Sequence, residues 1–391
     1  MKVIHIFMDS TASYFGDLFK EDWPDKFCKK LSMKSHIDIE MWKTCSFKTQ
    51  IKKGRIVYKF FPSINFYSQY LRVEFSHRLL KFLQQEIKKQ DKVIFHLHDP
   101  FSLSTLIMLN FLGRNTLKKM PLIVQSYYLL KTNKLQYLPK YLLGKRVFPY
   151  FEKVYVLSQE EEAFFPRELR DTKVRIQPMG IDTDIFKPMP KQVARKRLGL
   201  SIDKKYLLYV GRFDKIKGLD YLLEGFMILK KRGYNLNLIL VGDGPYRYHL
   251  KSLIHKFRLE DNVLLVGWKT PEQLSYYYNS ADIFVFPSLS ETWGLPPLEA
   301  MACGTPVITT YVGAIKYLIQ TGQIPKKQKF IFSIPIRNTN AIVNNVINIL
   351  QQRPSKKEIP AFTREIVKKF SWNKVIKETL KDYKELYKKY Y

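Results

Sequence analysis

Ala281-Asp282-Ile283-Phe284-Val285-Phe286-Pro287, followed closely by Ser290-Glu291-Thr292-Trp293-Gly294-Leu295-Pro296-Pro297-Leu298-Glu299-Ala300-Met301-Ala302-Cys303-Gly304-Thr305-Pro306-Val307, decides the fold. The first run is short, apolar and stopped by proline, the pattern of a buried strand. The second places Glu291 on a loop broken by glycine and proline. It places Glu299 at the opening of a small-residue helical stretch, 298–303, that runs into Gly304 and Pro306. Open α/β sheets build ligand sites in this way, at the carboxyl ends of their strands. Two acids so placed suit hydrogen bonds to sugar or ribose hydroxyls. The plainer alternative is a helix-capping acid beside an unrelated surface acid.

The same alternation runs along the chain. Apolar runs at 3–7, 93–97, 122–125, 153–157, 206–210, 236–241, 263–266 and 282–286 read as buried parallel strands. Helical patterns at 72–89, 219–231 and 246–257 lie between them, which implies an α/β architecture. The series starts twice, at residue 3 and at residue 206. Between the two starts lies Pro178-Met179-Gly180-Ile181-Asp182-Thr183-Asp184-Ile185-Phe186-Lys187-Pro188-Met189-Pro190, a connector by its prolines and glycine. We therefore expect two Rossmann-like domains, 1–185 and 186–365, with parallel sheets facing across a ligand cleft. The segment 366–391 is read as a helix packing back on the first domain. Its apolar face carries Trp372, Val375, Ile376, Leu380, Tyr383 and Leu386.

The 391 residues and 46% hydrophobic content suffice for two cores. Lys and Arg number 66 against 35 Asp and Glu, a net charge of +31. That excess favours an anionic partner. It is spread over both halves rather than gathered in an arm, which argues against nucleic acid. The region 52–70 interleaves basic residues with Phe60, Phe61, Phe66, Tyr67 and Tyr70, and reads as a segment for an anionic membrane surface. Three cysteines, Cys28, Cys45 and Cys303, show neither metal-ligand nor redox spacing and fit a reducing cytosol. The N-terminal apolar run is too short for a signal peptide, and no later run is long enough to span a bilayer.

Three further loops follow strands. Val210-Gly211-Arg212-Phe213-Asp214-Lys215-Ile216-Lys217-Gly218 turns a strand through glycine into a helix. Unpaired helix-start N–H groups, the Arg212 fork and the Lys217 ammonium suit phosphate oxygens. Val241-Gly242-Asp243-Gly244-Pro245 repeats the strand-to-glycine turn, and Val266-Gly267-Trp268-Lys269 ends a further strand at the same edge, where it suits a base. No Asp-x-Asp pair stands beside a nucleotide loop.

In this order, across 210–313, these motifs resemble the family 4 glycosyltransferases of GT-B architecture, retaining enzymes that use nucleotide sugars. The resemblance implies a donor site made by Gly211, Arg212, Lys217, Gly242, Gly244, Gly267, Trp268, Glu291, Gly294, Leu295 and Glu299. In it Arg212 and Lys217 neutralise the diphosphate in place of a metal. Glu291 holds the transferred sugar, the Gly294-Leu295 amides face sugar and phosphate, and Glu299 holds the ribose. No cofactor is implied beyond the co-substrate, with a UDP-sugar the commoner donor. The implied acceptor is a glycan or lipid-linked glycan of a cell-surface polysaccharide, handled in the cytoplasm at the inner membrane face. A small-molecule acceptor is the alternative, and a basic nucleic-acid-binding protein is the alternative from another class.

The first domain departs from the family. His96-Leu97-His98 resembles its His-x-His stretch and makes His98 a catalytic candidate. The histidine that the family places after the next strand is missing, and Tyr127 or Tyr128 stands there instead. Of the N-terminal glycine-rich loop only Gly16 remains. The acceptor-side candidates are accordingly Gly16, His98, Tyr127 and Tyr128.

Overall fold

The computed structural model describes residues 1–8, 23–45, 48–67, 72–89, 92–98, 102–126, 142–163, 165–325, 328–352 and 361–391. The chain forms two compact units, Met1–Pro178 with Trp372–Tyr391, and Met179–Ser371. The sequence reading put the divisions at 185/186 and 365/366. Local pairing explains the difference: Ile181 N–H donates to the Phe370 carbonyl (2.7 Å), and Ile181 bridges Ser371 as a parallel partner. Both crossings of the chain are thereby drawn to one place, and the helix Ala361–Lys369 packs within the second unit against Leu295–Ala302.

The first unit holds β1 (Lys2–Phe7), β2 (Asp38–Cys45), β3 (Thr49–Lys53), β4 (Ile56–Pro62), β5 (Ile64–Tyr67), β6 (Arg72–Phe75), β7 (Val93–His98), β8 (Leu122–Gln125), β9 (Phe151–Val156) and β10 (Val174–Ile176). Eight of them form a sheet in the order β10-β9-β8-β7-β1-β2-β4-β3, parallel except where β3 runs against β4. β1 and β7 are neighbours at the point where the strand order reverses. The helix expected over 72–89 is shorter. Residues 72–75 pair with β5 as a strand, and Ser76 Oγ accepts from Leu79 N–H to cap the helix His77–Lys88.

β2 escaped the sequence reading because its strand carries polar residues inward. Lys43 is buried and donates to Asp25 Oδ2 at 2.7 Å. The membrane-facing reading of 52–70 is corrected at Phe60 and Phe61. Both are 2% exposed, and Phe61 packs on Trp42 and Phe82 in the core. The side chains of Phe66, Tyr67 and Tyr70 lie outside the described residues. No helix among the described residues is long and apolar enough to cross a membrane.

The helix Trp372–Tyr390 packs on the first unit against β7 and the helix Trp23–Lys34. It buries Trp372, Val375, Ile376, Tyr383 and Leu386 together with two polar residues, Thr379 and Asp382. Asp382 Oδ2 accepts from Tyr155 Oη at 2.5 Å and Arg175 at 2.6 Å, and Thr379 Oγ1 accepts from Gln177 at 3.2 Å. The apolar stripe is as read, except that Leu380 is only half-buried.

The second unit has β11 (Lys205–Val210), β12 (Leu236–Val241), β13 (Val263–Gly267), β14 (Ile283–Phe286), β15 (Val307–Thr310) and β16 (Ile331–Ile334), all parallel, in the order β13-β12-β11-β14-β15-β16. The chain winds outward from β11 to β13, then returns to β14 beside β11 and winds the other way. That reversal opens a crevice at the carboxyl ends of β11 and β14.

At the opposite end of β14, Asp282 fixes the frame. It is 9% exposed and accepts from Lys191 (2.5 Å), Arg195 (2.8 Å) and the Tyr206 amide (2.8 Å). Burial alone would push its carboxyl up. The Lys191 charge and hydrogen bond, the Tyr206 amide and the Arg195 charge outweigh it and hold its pKa below the ordinary value. Removing that charge leaves Lys191 and Arg195 facing a neutral partner. Asp282→Asn should therefore lower unfolding free energy by about 3 kcal/mol at neutral pH. Since the folded pKa is the lower one, this contribution is complete above the unfolded carboxyl's pKa and is lost as pH falls through the folded value. In urea titrations from pH 7 downward, the gap between wild type and variant should close in the acid range. A gap that stays constant with pH would assign the loss to packing instead.

Candidate functional site

The crevice of the second unit is built from backbone before side chains. After β11 the chain passes Gly211, and after β12 it passes Gly242. Gly211 N–H donates to the Val241 carbonyl (3.0 Å), Phe213 N–H to that of Asp243 (2.9 Å), and Gly242 N–H to that of Gly267 (2.9 Å). The three glycine turns are thus bonded to one another. At Gly242, with φ 139°, a Cβ would lie 1.9 Å from the Gly211 carbonyl oxygen. At Gly244 a Cβ would lie 2.3 Å from the Phe213 carbonyl oxygen, so at these two positions the loop-on-loop contact itself requires glycine.

The turn that carries Lys217 is fixed to the exit of β14. Leu289 N–H donates to the Ile216 carbonyl at 2.8 Å. A Cβ on Gly218 would lie 2.2 Å from the Pro287 carbonyl oxygen, and its φ of 66° is left-handed. This close approach brings residues 74 apart together: Lys217 Nζ donates to Glu291 Oε1 at 2.6 Å, with both side chains mostly buried. Arg212 sits on the same turn and is 67% exposed, paired at 3.2 Å with Asp214. Lys217 and Glu291 are therefore in contact at the crevice, and Arg212 stands at its solvent side.

The helix expected over 298–303 spans Leu295–Ala302 and starts after Gly294, whose φ is 78°. Glu299 is therefore one turn inside the helix rather than at its head. Pro296 and Pro297 bring no N–H groups to that helix start, so the amides of Gly294 and Leu295 are its free donors. Glu299 Oε2 accepts from Tyr278 Oη at 2.7 Å. Tyr278 is fully buried; burial first and Glu299 second push its hydroxyl well above the usual phenol range. It stays protonated and donates.

The remaining donor-side residues follow strand ends. Gly244 lies on the turn after β12, where Tyr246 N–H donates to the Phe213 carbonyl at 3.1 Å. Gly267 ends β13, and Trp268 beside it is 68% exposed. In the first unit, His98 ends β7 and is fully buried, with Nε2 2.9 Å from His5 Nδ1. Gly16, Tyr127 and Tyr128 lie outside the described residues.

Sequence reasoning missed Tyr278, Tyr209 and His5. Tyr209 lies under the site, its hydroxyl donating to the Arg212 carbonyl at 3.1 Å. Burial, then Glu291 and Asp214, push that hydroxyl well above the phenol range. Nothing in a run of core residues separates Tyr209 or Tyr278 from packing. His5 was readable only with the register that sets it opposite His96.

Residues 190–365 match the family model described as glycosyl transferases group 1. An uncharacterized glycosyltransferase of Methanocaldococcus jannaschii is 31% identical over 191 residues, 49% of this chain and 47% of that protein. The alpha-monoglucosyldiacylglycerol synthase of Streptococcus pneumoniae is 32% identical over 241 residues, 57% of this chain and 53% of the relative. The chain thus spans about half the length of the curated relatives it matches. Among solved structures, the sucrose-phosphate synthase of Thermosynechococcus elongatus superposes with a TM-score of 0.74 at 20% identity, over 99% of each chain. An Anabaena protein, HepE, solved in complex with UDP, gives 0.71 at 15% identity, over 97% of this chain and 99% of its own. At these identities the likeness is one of fold: two parallel-sheet α/β domains of the GT-B type.

The glycine contacts can be weighed against each other. Gly242→Ala should cost about 3 kcal/mol, since the methyl meets backbone and the φ is unfavourable. Gly267→Ala, where a Cβ meets nothing within 4 Å, carries only the cost of a left-handed residue, about 1 kcal/mol. Urea denaturation of the two variants reads the difference. Equal losses would remove the loop-on-loop contact as the reason for Gly242.

Proposed function

We propose, from the premise that this chain is a GT4-like glycosyltransferase of GT-B fold, that it moves a sugar with retention from a nucleoside diphosphate sugar to a glycan or lipid-linked glycan. The observation that carries this reading is the contact of Lys217 with Glu291 at the reversal point of the sheet. It puts an ammonium and a carboxylate side by side where a sugar diphosphate would present a phosphate and a hydroxylated ring. Without donor the two charges satisfy each other. With donor, Lys217 takes a phosphate oxygen and Glu291 takes sugar hydroxyls, so both partners are exchanged rather than lost.

The chemistry follows from where charge develops. Breaking the anomeric C–O bond leaves the electron pair on the diphosphate oxygen. Lys217, Arg212 and the amides of Gly294 and Leu295 stabilise that charge as it forms. Positive charge for the leaving group is thus supplied by side chains, and the reading assigns no metal to the donor. Glu299, oriented by the buried Tyr278 hydroxyl, is assigned to the ribose hydroxyls, and Gly267 with Trp268 to the base. UDP is the preferred carrier. A net charge of +31 and a relative that is named a glucosyldiacylglycerol synthase support an acceptor presented at an anionic membrane surface, on its cytoplasmic face.

A thermal-shift series with UDP, GDP, ADP and their sugars identifies the carrier. A ligand at a hundred times its Kd should add about 2.7 kcal/mol of apparent stability, and UDP is expected to give the largest shift. With the donor so identified, Lys217→Ala and Glu291→Ala should each lower transfer by about 10²–10³-fold, with wild-type circular dichroism. Wild-type transfer rates in both folded variants would overturn the assignment.

A further inference from the structure

Three imidazoles meet in the core of the first unit. β1 and β7 are parallel neighbours with His5 opposite His96 and Phe7 opposite His98. Side chains two apart on a strand share a face, so His5, His96 and His98 all point to the same side of the sheet. Their ring centroids lie 4.6 Å (96 to 98), 4.9 Å (5 to 96) and 5.2 Å (5 to 98) apart. All three are fully buried. One ring nitrogen from each lies within 4.8 Å of those of the others.

Such a cluster costs stability unless its nitrogens are used. His5 Nε2 and His96 Nε2 are buried with no hydrogen-bond partner among the described residues. Each such group forfeits about 1–3 kcal/mol of solvation. Phe27 and Tyr383 cover the rings from the helices Trp23–Lys34 and Trp372–Tyr390. His96 Nδ1 lies 2.6 Å from Tyr383 Oη, an outer hydrogen bond that directs the Nε2 lone pair away from the tyrosine.

We propose that His5, His96 and His98 form the ligand set of a metal ion of the Zn(II) class, which ties β1 to β7 beneath the C-terminal helix. Three imidazoles suit zinc, with a fourth position for water. Zinc–nitrogen bonds of about 2.0–2.1 Å in a tetrahedron require nitrogens about 3.4 Å apart. His5 Nδ1 and His98 Nε2 are 2.9 Å apart and one nitrogen of each ring lies within 4.8 Å of the others, while the ring planes of 96 and 98 and of 5 and 98 differ by only 12° and 20°, so binding turns the rings toward the ion. In the metal-free arrangement His5 Nδ1 and His98 Nε2 share a hydrogen bond at 2.9 Å, and the ion replaces it.

The test uses the full chain, freed of metal by chelation and checked to be folded by circular dichroism. Cobalt(II) titration should give the visible bands of a tetrahedral site, saturating at one equivalent, and zinc should displace it and raise Tm. Tyr383→Phe keeps all three ligands and removes only the outer hydrogen bond, so it should weaken cobalt binding about 10–100-fold. His5→Asn should abolish the bands. Two outcomes overturn the site: a folded chain that shows no such bands, its histidines being a hydrogen-bonded chain only, or bands that persist unchanged in both variants. If His5→Asn fails to fold, the Tyr383→Phe result decides alone.

Discussion

The crevice of the second unit depends on carbonyl oxygens being allowed to stand where side chains would otherwise be. The Gly211 carbonyl fills the space of a missing Cβ at Gly242, and the Pro287 carbonyl does the same at Gly218. These two contacts lock the exits of three neighbouring strands, β12, β11 and β14, into one rim. Everything that the rim presents follows from them. Lys217 reaches Glu291 across 74 residues because its turn is bonded to the loop after β14. A side chain at either glycine would separate the loops before it touched any ligand. The glycines are therefore a condition for the charges to meet.

Stability and reactivity are placed at opposite ends of the same strand. The entrance of β14 is held by Asp282 with Lys191, Arg195 and the Tyr206 amide, all paired and mostly shielded. Its exit leads to Ser288, Glu291 and the helix start at Gly294. The charges at the entrance are bound to each other and to backbone, which anchors the strand. Those at the exit are an ion pair of two reaching side chains, Lys217 and Glu291, on loops that the same frame holds.

Much of the second unit was legible in the sequence. The strands 206–210, 236–241, 263–266 and 282–286 fall within a residue of β11 to β14, and the helix 219–231 is the one observed. Apolar runs bounded by glycine or proline leave little choice there. β15 was not read, because Val307-Ile308-Thr309-Thr310 ends in threonines. The structure shows why they are tolerated: Thr310 Oγ1 donates to the Ser288 carbonyl at 2.5 Å, tying β15 to the loop after β14. The same holds for β2, whose Lys43 is paired inside. The site was legible as residue types and not as contacts. Lys217 and Glu291 were both identified, but their pairing needs the sheet order. Tyr278 looks like core in any sequence, and only its 2.7 Å bond to Glu299 distinguishes it.

In the first unit the runs 3–7, 93–97, 122–125 and 153–157 are strands β1, β7, β8 and β9, while β2 to β6 and β10 were not read, for a related reason. Its interior is polar in places where a sequence pattern expects hydrocarbon: Lys43 with Asp25, Asp382 with Tyr155 and Arg175, Gln177 with Thr379, and three histidines side by side. Each polar group must find a partner on another element, and those partners are far apart in sequence. Three of these contacts, and a fourth between His96 and Tyr383, involve the helix Trp372–Tyr390, more than 190 residues beyond the strands it covers. An apolar stripe would hold that helix in any of several positions. The bonds from Tyr155, Arg175, Gln177 and His96 specify one rotation and one register of the helix on the sheet. The second unit's crevice is thus specified by backbone contacts that glycine and proline announce, and the seating of the C-terminal helix on the first unit by side-chain pairings that only the folded topology reveals. The family match, confined to residues 190–365, follows the same division.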